Sequence, residues 1–528
     1  MGMYLNPGSL AFERARNSEI YVDKTGLIAC TNEVLNTEQN CLCVSRPRRF
    51  GKTMGMNMLA AYYDCTVDGA AIFQGLKIAE DENFSRYANK FNVVRINMLE
   101  FLGSSALSIE DGLRSFQEEL IFDILEEYPD FRYRDKTNLR RVMWDVFRYS
   151  KKQFVILLDE WDCPFRERQK DTEGQKQYLD FLRDWLKNQD YVALAYMTGI
   201  LPVKKYGKHS ALNMFVEYSM EDPWKLAEYV GFTADEVKAL CERFQLDYQS
   251  MTNWYDGYSF PLAGEVYSPW SVVQACKRGR VGNYWNKTES YEALKIYISM
   301  NFDGLKEIIL RLMIGERQRI NTGSFVNDMT TFSCVDDVLT LLIHLGYLGY
   351  DIDRQEVFIP NNEIRTEFAN SVQTMDDMSV VARAIKASDD LLDATLRLDA
   401  ERVAEGIEAA HLETSLLQYN DENALSYTVG LAYYTAKRKY NIVREMPMGR
   451  GFADLVFIPR PNHTDLPAMV VELKWDETAD TAIAQIKKRN YDGALKDYSG
   501  KILLVGISYN PDSKAEDYKK HRCVIEEM

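Results

Sequence analysis

The chain has 528 residues, more than one hydrophobic core accommodates, so roughly two to four domains are the natural arrangement. Hydrophobic residues make up 46% and charged residues 27%, and no run approaches the ~18 uninterrupted apolar residues of a membrane-spanning helix. A net charge of −16 argues against a surface that binds nucleic acid everywhere, leaving only local basic stretches at 46–52, 437–439 and 487–489.

The first residues, Met1-Gly2-Met3-Tyr4-Leu5-Asn6-Pro7, lack the basic flank and apolar core of a signal peptide. Asn6 stands where a myristoylation signal carries Ser or Thr. The nine cysteines, an odd number scattered along the chain, are expected to be buried free thiols in a reducing compartment, which places the protein in the cytoplasm. Cys41 and Cys43 have no partner pair and do not make a zinc site.

In chain order, Ile20-Tyr21-Val22-Asp23-Lys24-Thr25 reads as a short strand-like piece. The apolar run Cys41-Leu42-Cys43-Val44 follows, then Arg46-Pro47-Arg48-Arg49-Phe50-Gly51-Lys52-Thr53 and a Gly/Pro-poor helix to Tyr63. Strand, tight loop, Gly-Lys-Thr and helix form the layout of a phosphate-binding loop. Backbone N–H groups around Arg49, Phe50 and Gly51 cradle phosphates, Lys52 reaches the terminal ones, and the Thr53 hydroxyl helps hold Mg²⁺. Arg46 occupies the position where the usual pattern has its first Gly.

A second strand is expected at 91–98, and the charged, Gly/Pro-poor segment 105–150 is expected to be helical. Phe154-Val155-Ile156-Leu157-Leu158-Asp159-Glu160 is a continuous apolar run ending in two acids, the pattern of a buried parallel strand. Asp159 at its tip suits the Mg²⁺ of bound ATP, and Glu160 suits the base that deprotonates the attacking water. After a helix at 172–188, the strand 191–197 ends in Thr198-Gly199. An extra strand between the phosphate-loop strand and the acidic strand marks the additional-strand class of P-loop ATPases, in which Thr198 would sense the γ-phosphate. Thr233-Ala234-Asp235-Glu236 has the N-cap and first-turn acids of a helix start. Trp254-Tyr255-Asp256-Gly257-Tyr258 and Ser268-Pro269-Trp270 read as turn residues with aromatics packed at a domain interface, in preference to a base-stacking platform.

Tyr21-Val22-Asp23-Lys24-Thr25, the loop from Arg46 to Thr53, Leu158-Asp159-Glu160, Thr198-Gly199-Ile200 and Trp254–Tyr258 together resemble the predicted AAA-ATPase-like family. Arg-Pro-Arg-Arg-Phe-Gly-Lys is that family's own form of the loop. The resemblance covers essentially the whole chain and implies a C-terminal nuclease-like domain of the PD-(D/E)xK superfamily.

Residues 285–400 are expected to be mostly helical, with a small hairpin at 345–350 and 357–361. Farther on, Gly451-Phe452-Ala453-Asp454-Leu455-Val456-Phe457-Ile458 and Ala468-Met469-Val470-Val471-Glu472-Leu473-Lys474-Trp475 read as two strands around a turn. Glu472 and Lys474, two apart, face the same way. With Asp454 opposite, two carboxylates and an ammonium converge. Asp454 and Glu472 would bind Mg²⁺, and Lys474 would position the attacking water in phosphodiester hydrolysis. The resemblance adds Glu422 as an accessory acid and Gln485 as a supporting polar residue.

The expected fold is α/β: a P-loop, AAA-like ATPase domain at 1–219, a mainly helical lid and linker at 220–400, and a restriction-endonuclease-like αβββαβ domain at 401–528. The expected function is an ATPase coupled to a Mg²⁺-dependent nuclease; the competing reading is an ATP-driven switch whose C-terminal domain binds without cutting. ATP and Mg²⁺ are the implied cofactors. The implied partners are nucleic acid, DNA ahead of RNA, and a second copy of the chain in a homo-oligomer, with no membrane.

Overall fold

The computed structural model describes residues 2–104, 108–203, 205–206, 209–210, 212–285, 294, 296–298, 302–313, 315–373, 379–413, 422–448, 451–460, 463, 465–489, 500–511 and 520–528. By compactness the chain divides into two units, Met1–Phe368 and Ala369–Met528.

The first unit is built on five parallel strands: β1 (Cys41–Ser45), β2 (Asn92–Asn97), β3 (Phe154–Asp159), β4 (Val192–Gly199) and β5 (Val216–Tyr218). Their spatial order is β2-β3-β4-β1-β5. Strand β4 therefore lies between β1, which feeds the Gly-Lys-Thr turn, and β3, which ends at Asp159. Every residue of β1, β3 and β4 is buried. That explains their unbroken apolar runs, since a parallel sheet is covered by helices on both faces. Those helices include α1 (Lys52–Tyr63), α2 (Ile109–Glu127), α3 (Leu139–Ser150) and α4 (Thr172–Leu186). The last three start on Ser108, Asn138 and Asp171, whose side chains accept a first-turn N–H.

The rest of this unit mixes helices with two three-stranded antiparallel sheets. The first sheet joins β6 (Phe232–Thr233), β7 (Tyr258–Phe260) and β8 (Gly264–Tyr267), with α5 (Ala234–Phe244), α6 (Tyr248–Tyr255) and α7 (Pro269–Arg278) around it. Helix α5 opens with a complete capping box, Thr233 and Glu236 each accepting from the other's backbone N–H. The second sheet joins β9 (Gln318–Arg319), β10 (Gly349–Asp351) and β11 (Glu356–Phe358). The hairpin read at 345–350 is thus shorter than the apolar run, because α8 (Val335–His344) continues to its cap at Leu345 and Gly346 turns the chain at φ +85°. Ile20–Thr25 forms no strand. Asp23 instead accepts from the Thr25 N–H and hydroxyl and from the Lys77 N–H, while half-buried Lys24 pairs with Glu236.

In the second unit, α9 (Ser379–Leu396), α10 (Ala400–Glu413) and α11 (Glu422–Ala432) precede a five-stranded sheet. Its strands, β12 (Tyr440–Met448), β13 (Gly451–Pro459), β14 (Ala468–Trp475), β15 (Ile502–Tyr509) and β16 (His521–Glu527), pair in sequence order. All pairs are antiparallel except β14 with β15, which are joined by a crossover containing α12 (Ala479–Arg489). From α11 to β15 the order is αβββαβ, as expected. Leu391, Leu392, Val403 and Ile407 of α9 and α10 share a core with Leu455, Val471 and Val505 of the sheet. By compactness this unit begins at Ala369, so α9 and α10 fall within it.

Candidate nucleotide and phosphodiester sites

The turn after β1 is tight enough to leave the ordinary right-handed region twice, at Arg49 (φ +68°) and Gly51 (φ +92°). Open space surrounds the place where a Cβ on Gly51 would project, so its backbone conformation, more than crowding, selects glycine there. The N-terminus of α1 begins at Lys52, the arrangement that presents N–H groups to an anion. The Lys52 ammonium is buried and donates to the Arg46 and Pro47 carbonyls, each at 2.9 Å. Burial lowers its pKa, against the opposing pull of Glu160, Asp159 and Asp162.

Thr53, Asp159 and Thr198 meet across three elements. The Thr53 hydroxyl donates to Asp159 Oδ2 at 2.7 Å, and the Thr198 hydroxyl donates to Oδ1 at 2.6 Å. Only the sheet order, with β4 beside both β1 and β3, brings these side chains together. Their oxygens suit a hard divalent cation. Glu160 follows at φ +52°, its carboxylate paired with Arg166. Burial raises its pKa, and Arg166 opposes the rise. Arg166 also meets Asp162 Oδ2 at 3.1 Å, and that fully buried Asp accepts the N–H groups of Ile200 and Leu201 at 3.0 and 2.9 Å. Sequence reasoning missed Asp162 and Arg166; their i,i+4 spacing just beyond the acidic strand was the available signal.

The other loop residues face the C-terminal part of the same unit. Arg46 is fully buried and donates to the carbonyls of Ser45, Tyr218 and Ser219, so it fastens the loop to the end of edge strand β5. Burial pushes its pKa down to about 10. Pro47 packs on Gly346, Phe50 lies edge-on to Tyr258 at 5.5 Å, and the Arg49 guanidinium covers the Trp270 ring at 4.5 Å. Arg49 and Phe50, expected beside the nucleotide, thus have side chains engaged in this packing. Tyr255 and Tyr258 are buried and hydrogen-bond the Gly282 and Gly346 carbonyls, which accords with packed aromatics and not a stacking platform.

In the second unit, Asp454 on β13 and Glu472 and Lys474 on β14 converge. Asp454 Oδ2 accepts the N–H of Leu473, the residue between the other two, at 2.6 Å. Glu472 is buried, lies 3.7 Å from Lys474 Nζ and accepts a hydrogen bond from Gln485 on α12. Two carboxylates on neighbouring strands, one of them buried, suit a hard cation. The side chain of Glu422 lies outside the described residues.

Residues 8–207 match the family described as AAA-ATPase_like, Predicted AAA-ATPase, and residues 422–518 match the PD-(D/E)XK nuclease superfamily. An uncharacterized protein in the vnfD 5' region of Azotobacter chroococcum mcd 1 is 26% identical over 293 residues, covering 53% of this chain and 53% of that protein. The chain therefore spans about half the length of this curated relative. The Aeropyrum pernix ORC2 protein (ADPNP-ADP complexes) aligns over 70% of this chain and 98% of its own, at 11% identity and a TM-score of 0.31. CDC6P from Pyrobaculum aerophilum aligns over the same shares at 11% identity and a TM-score of 0.27. At such scores neither structure bears on what this chain does. The chain carries a predicted AAA-ATPase domain in its N-terminal part and, toward its C-terminus, a domain of the PD-(D/E)XK nuclease superfamily.

Proposed function

We propose that the chain binds and hydrolyses ATP with Mg²⁺ in its first unit, and that its second unit is a Mg²⁺-dependent phosphodiesterase acting on nucleic acid, DNA ahead of RNA. The observation that carries the reading is the carboxylate of Asp159 shared by Thr53 and Thr198 at the end of the Gly-Lys-Thr turn. When bound, Mg²⁺ neutralises phosphate charge.

The residues of the chain would do the rest. Lys52 would exchange the loop carbonyls for phosphate oxygens, and the N–H groups of the turn would hold the same phosphates. Thr53 and Asp159 would hold the cation, and Thr198 would hydrogen-bond the γ-phosphate. Glu160, released from Arg166, would take the proton of the attacking water. In the second unit Asp454 and Glu472 would hold the cation, Gln485 would orient Glu472, and Lys474 would hold the attacking water or the developing negative charge.

ATP turnover and Mg²⁺ binding by the full chain test this reading. Glu160→Gln is expected to keep ATP binding and lose turnover, and Asp454→Ala to lose Mg²⁺ from the second unit. Turnover unchanged in Glu160→Gln would refute the first assignment. Intact turnover with no metal in the second unit would leave the switch reading, in which that domain binds without cutting.

A further inference from the structure

A second cluster of ligand-type side chains lies in the second unit. Glu408 and His411, three apart on α10, share one face of the helix. They meet His521, the first residue of β16, and one ligand atom from each lies within 4.8 Å of the others. His521 is fully buried, and its Nδ1 is 2.7 Å from Glu408 Oε2, which also accepts the N–H groups of Lys520 and His521 at 3.0 Å each. Donors 2.0–2.2 Å from a shared ion stand about 3–4 Å apart, a spacing that small side-chain rotations reach from here.

This cluster is separate from Asp454 and Glu472. Residues alternate along β14, so Glu472 faces Gln485 on α12, whereas Trp475 faces the other way. Trp475 packs on Tyr509 with ring centres 4.7 Å apart. Tyr509 in turn packs on His521 at 4.8 Å and on His411 at 5.3 Å. The two clusters therefore occupy opposite faces of one sheet.

The chemistry differs as well. The first is an all-oxygen set with an ammonium; the second offers two imidazoles and one carboxylate, which suit Zn²⁺ or a similar borderline cation. Burial lowers the pKa of both histidines, which favours the neutral ring, the form that ligates. Burial alone would raise Glu408, but the hydrogen bonds from His521 and Lys520 outweigh it and hold it below the usual carboxylate range.

We propose that Glu408, His411 and His521 form a transition-metal site, distinct from the Asp454–Glu472 cluster, that fastens β16 to α10 and leaves one coordination position open.

Co²⁺ titration of the chelator-stripped full chain tests this, followed by the visible absorption of the bound ion. An Asp454→Ala/Glu472→Ala chain is expected to take up one Co²⁺ that excess Mg²⁺ does not displace. In that background His411→Ala and Glu408→Gln are expected to weaken Co²⁺ binding at least about tenfold, since losing even an outer partner of a ligand costs about that much. His411→Gln, closer in size, guards against misfolding, and circular dichroism and metal-free melting check each variant. Failure of the double variant to bind Co²⁺, or undiminished binding with both His411 variants, would overturn the proposal.

Discussion

Glu363→Gln isolates one buried charge behind the phosphate loop. Glu363 is buried and accepts from the Ser271 hydroxyl at 2.7 Å and from the Tyr284 and Trp285 N–H groups at 2.7 and 2.9 Å. It thereby fixes the segment whose Tyr284 carbonyl receives Arg49. Burial pushes its pKa up from 4.5 to about 7, and the hydrogen bonds only partly offset the rise. Its stabilising contribution is therefore complete below pH 4.5 and is lost as pH rises through about 7. At 1.36 kcal/mol per tenfold change this is roughly 3 kcal/mol in all, with about 2.5 kcal/mol falling between pH 5 and pH 8. Glutamine keeps an acceptor for both N–H groups and does not ionise. Urea unfolding of the first unit at pH 5 and pH 8 should show the variant gaining about 2.5 kcal/mol on the wild type across that range. Wild-type and variant stabilities that run parallel across this range would show that Glu363 is not held protonated by the fold.

Lys52→Ala should abolish binding of a fluorescent ATP analogue, and an unchanged affinity would remove the nucleotide site from this loop. Arg166→Met leaves Asp162 and Glu160 without their buried cation and should cost about 3–5 kcal/mol in the unfolding of the first unit. Gly257→Ala forces a Cβ to 2.3 Å from the Pro360 carbonyl oxygen at φ +102°, and should lower stability by at least about 1–3 kcal/mol in the same assay.

Much of the first unit was legible because a parallel sheet buried on both faces writes its strands as unbroken apolar runs. The runs ending at Val44, Asp159 and Thr198 became adjacent strands in the structure, and their polar tips met as a consequence. The Arg46–Thr53 loop was legible as a turn, but the outward packing of Arg49 and Phe50 was not, since it depends on Trp270 and Tyr258 some 200 residues away. Arg166 sits on a helix of five residues with no amphipathic pattern to announce it. His521 and Glu408 are 113 positions apart, and only the folding of β16 against α10 makes them neighbours. On β14, Glu472 and Lys474 needed only strand alternation, which reads directly from the sequence.

Cleavage of labelled single- and double-stranded DNA and RNA by the full chain with Mg²⁺, with and without ATP, decides whether the second unit is an ATP-coupled nuclease. The wild type should cut, Lys474→Ala should lose cutting, and Lys52→Ala should change its dependence on ATP. Absence of cutting on every substrate, with ATP turnover intact, would rule out a nuclease and favour a domain that binds its partner without cleaving it.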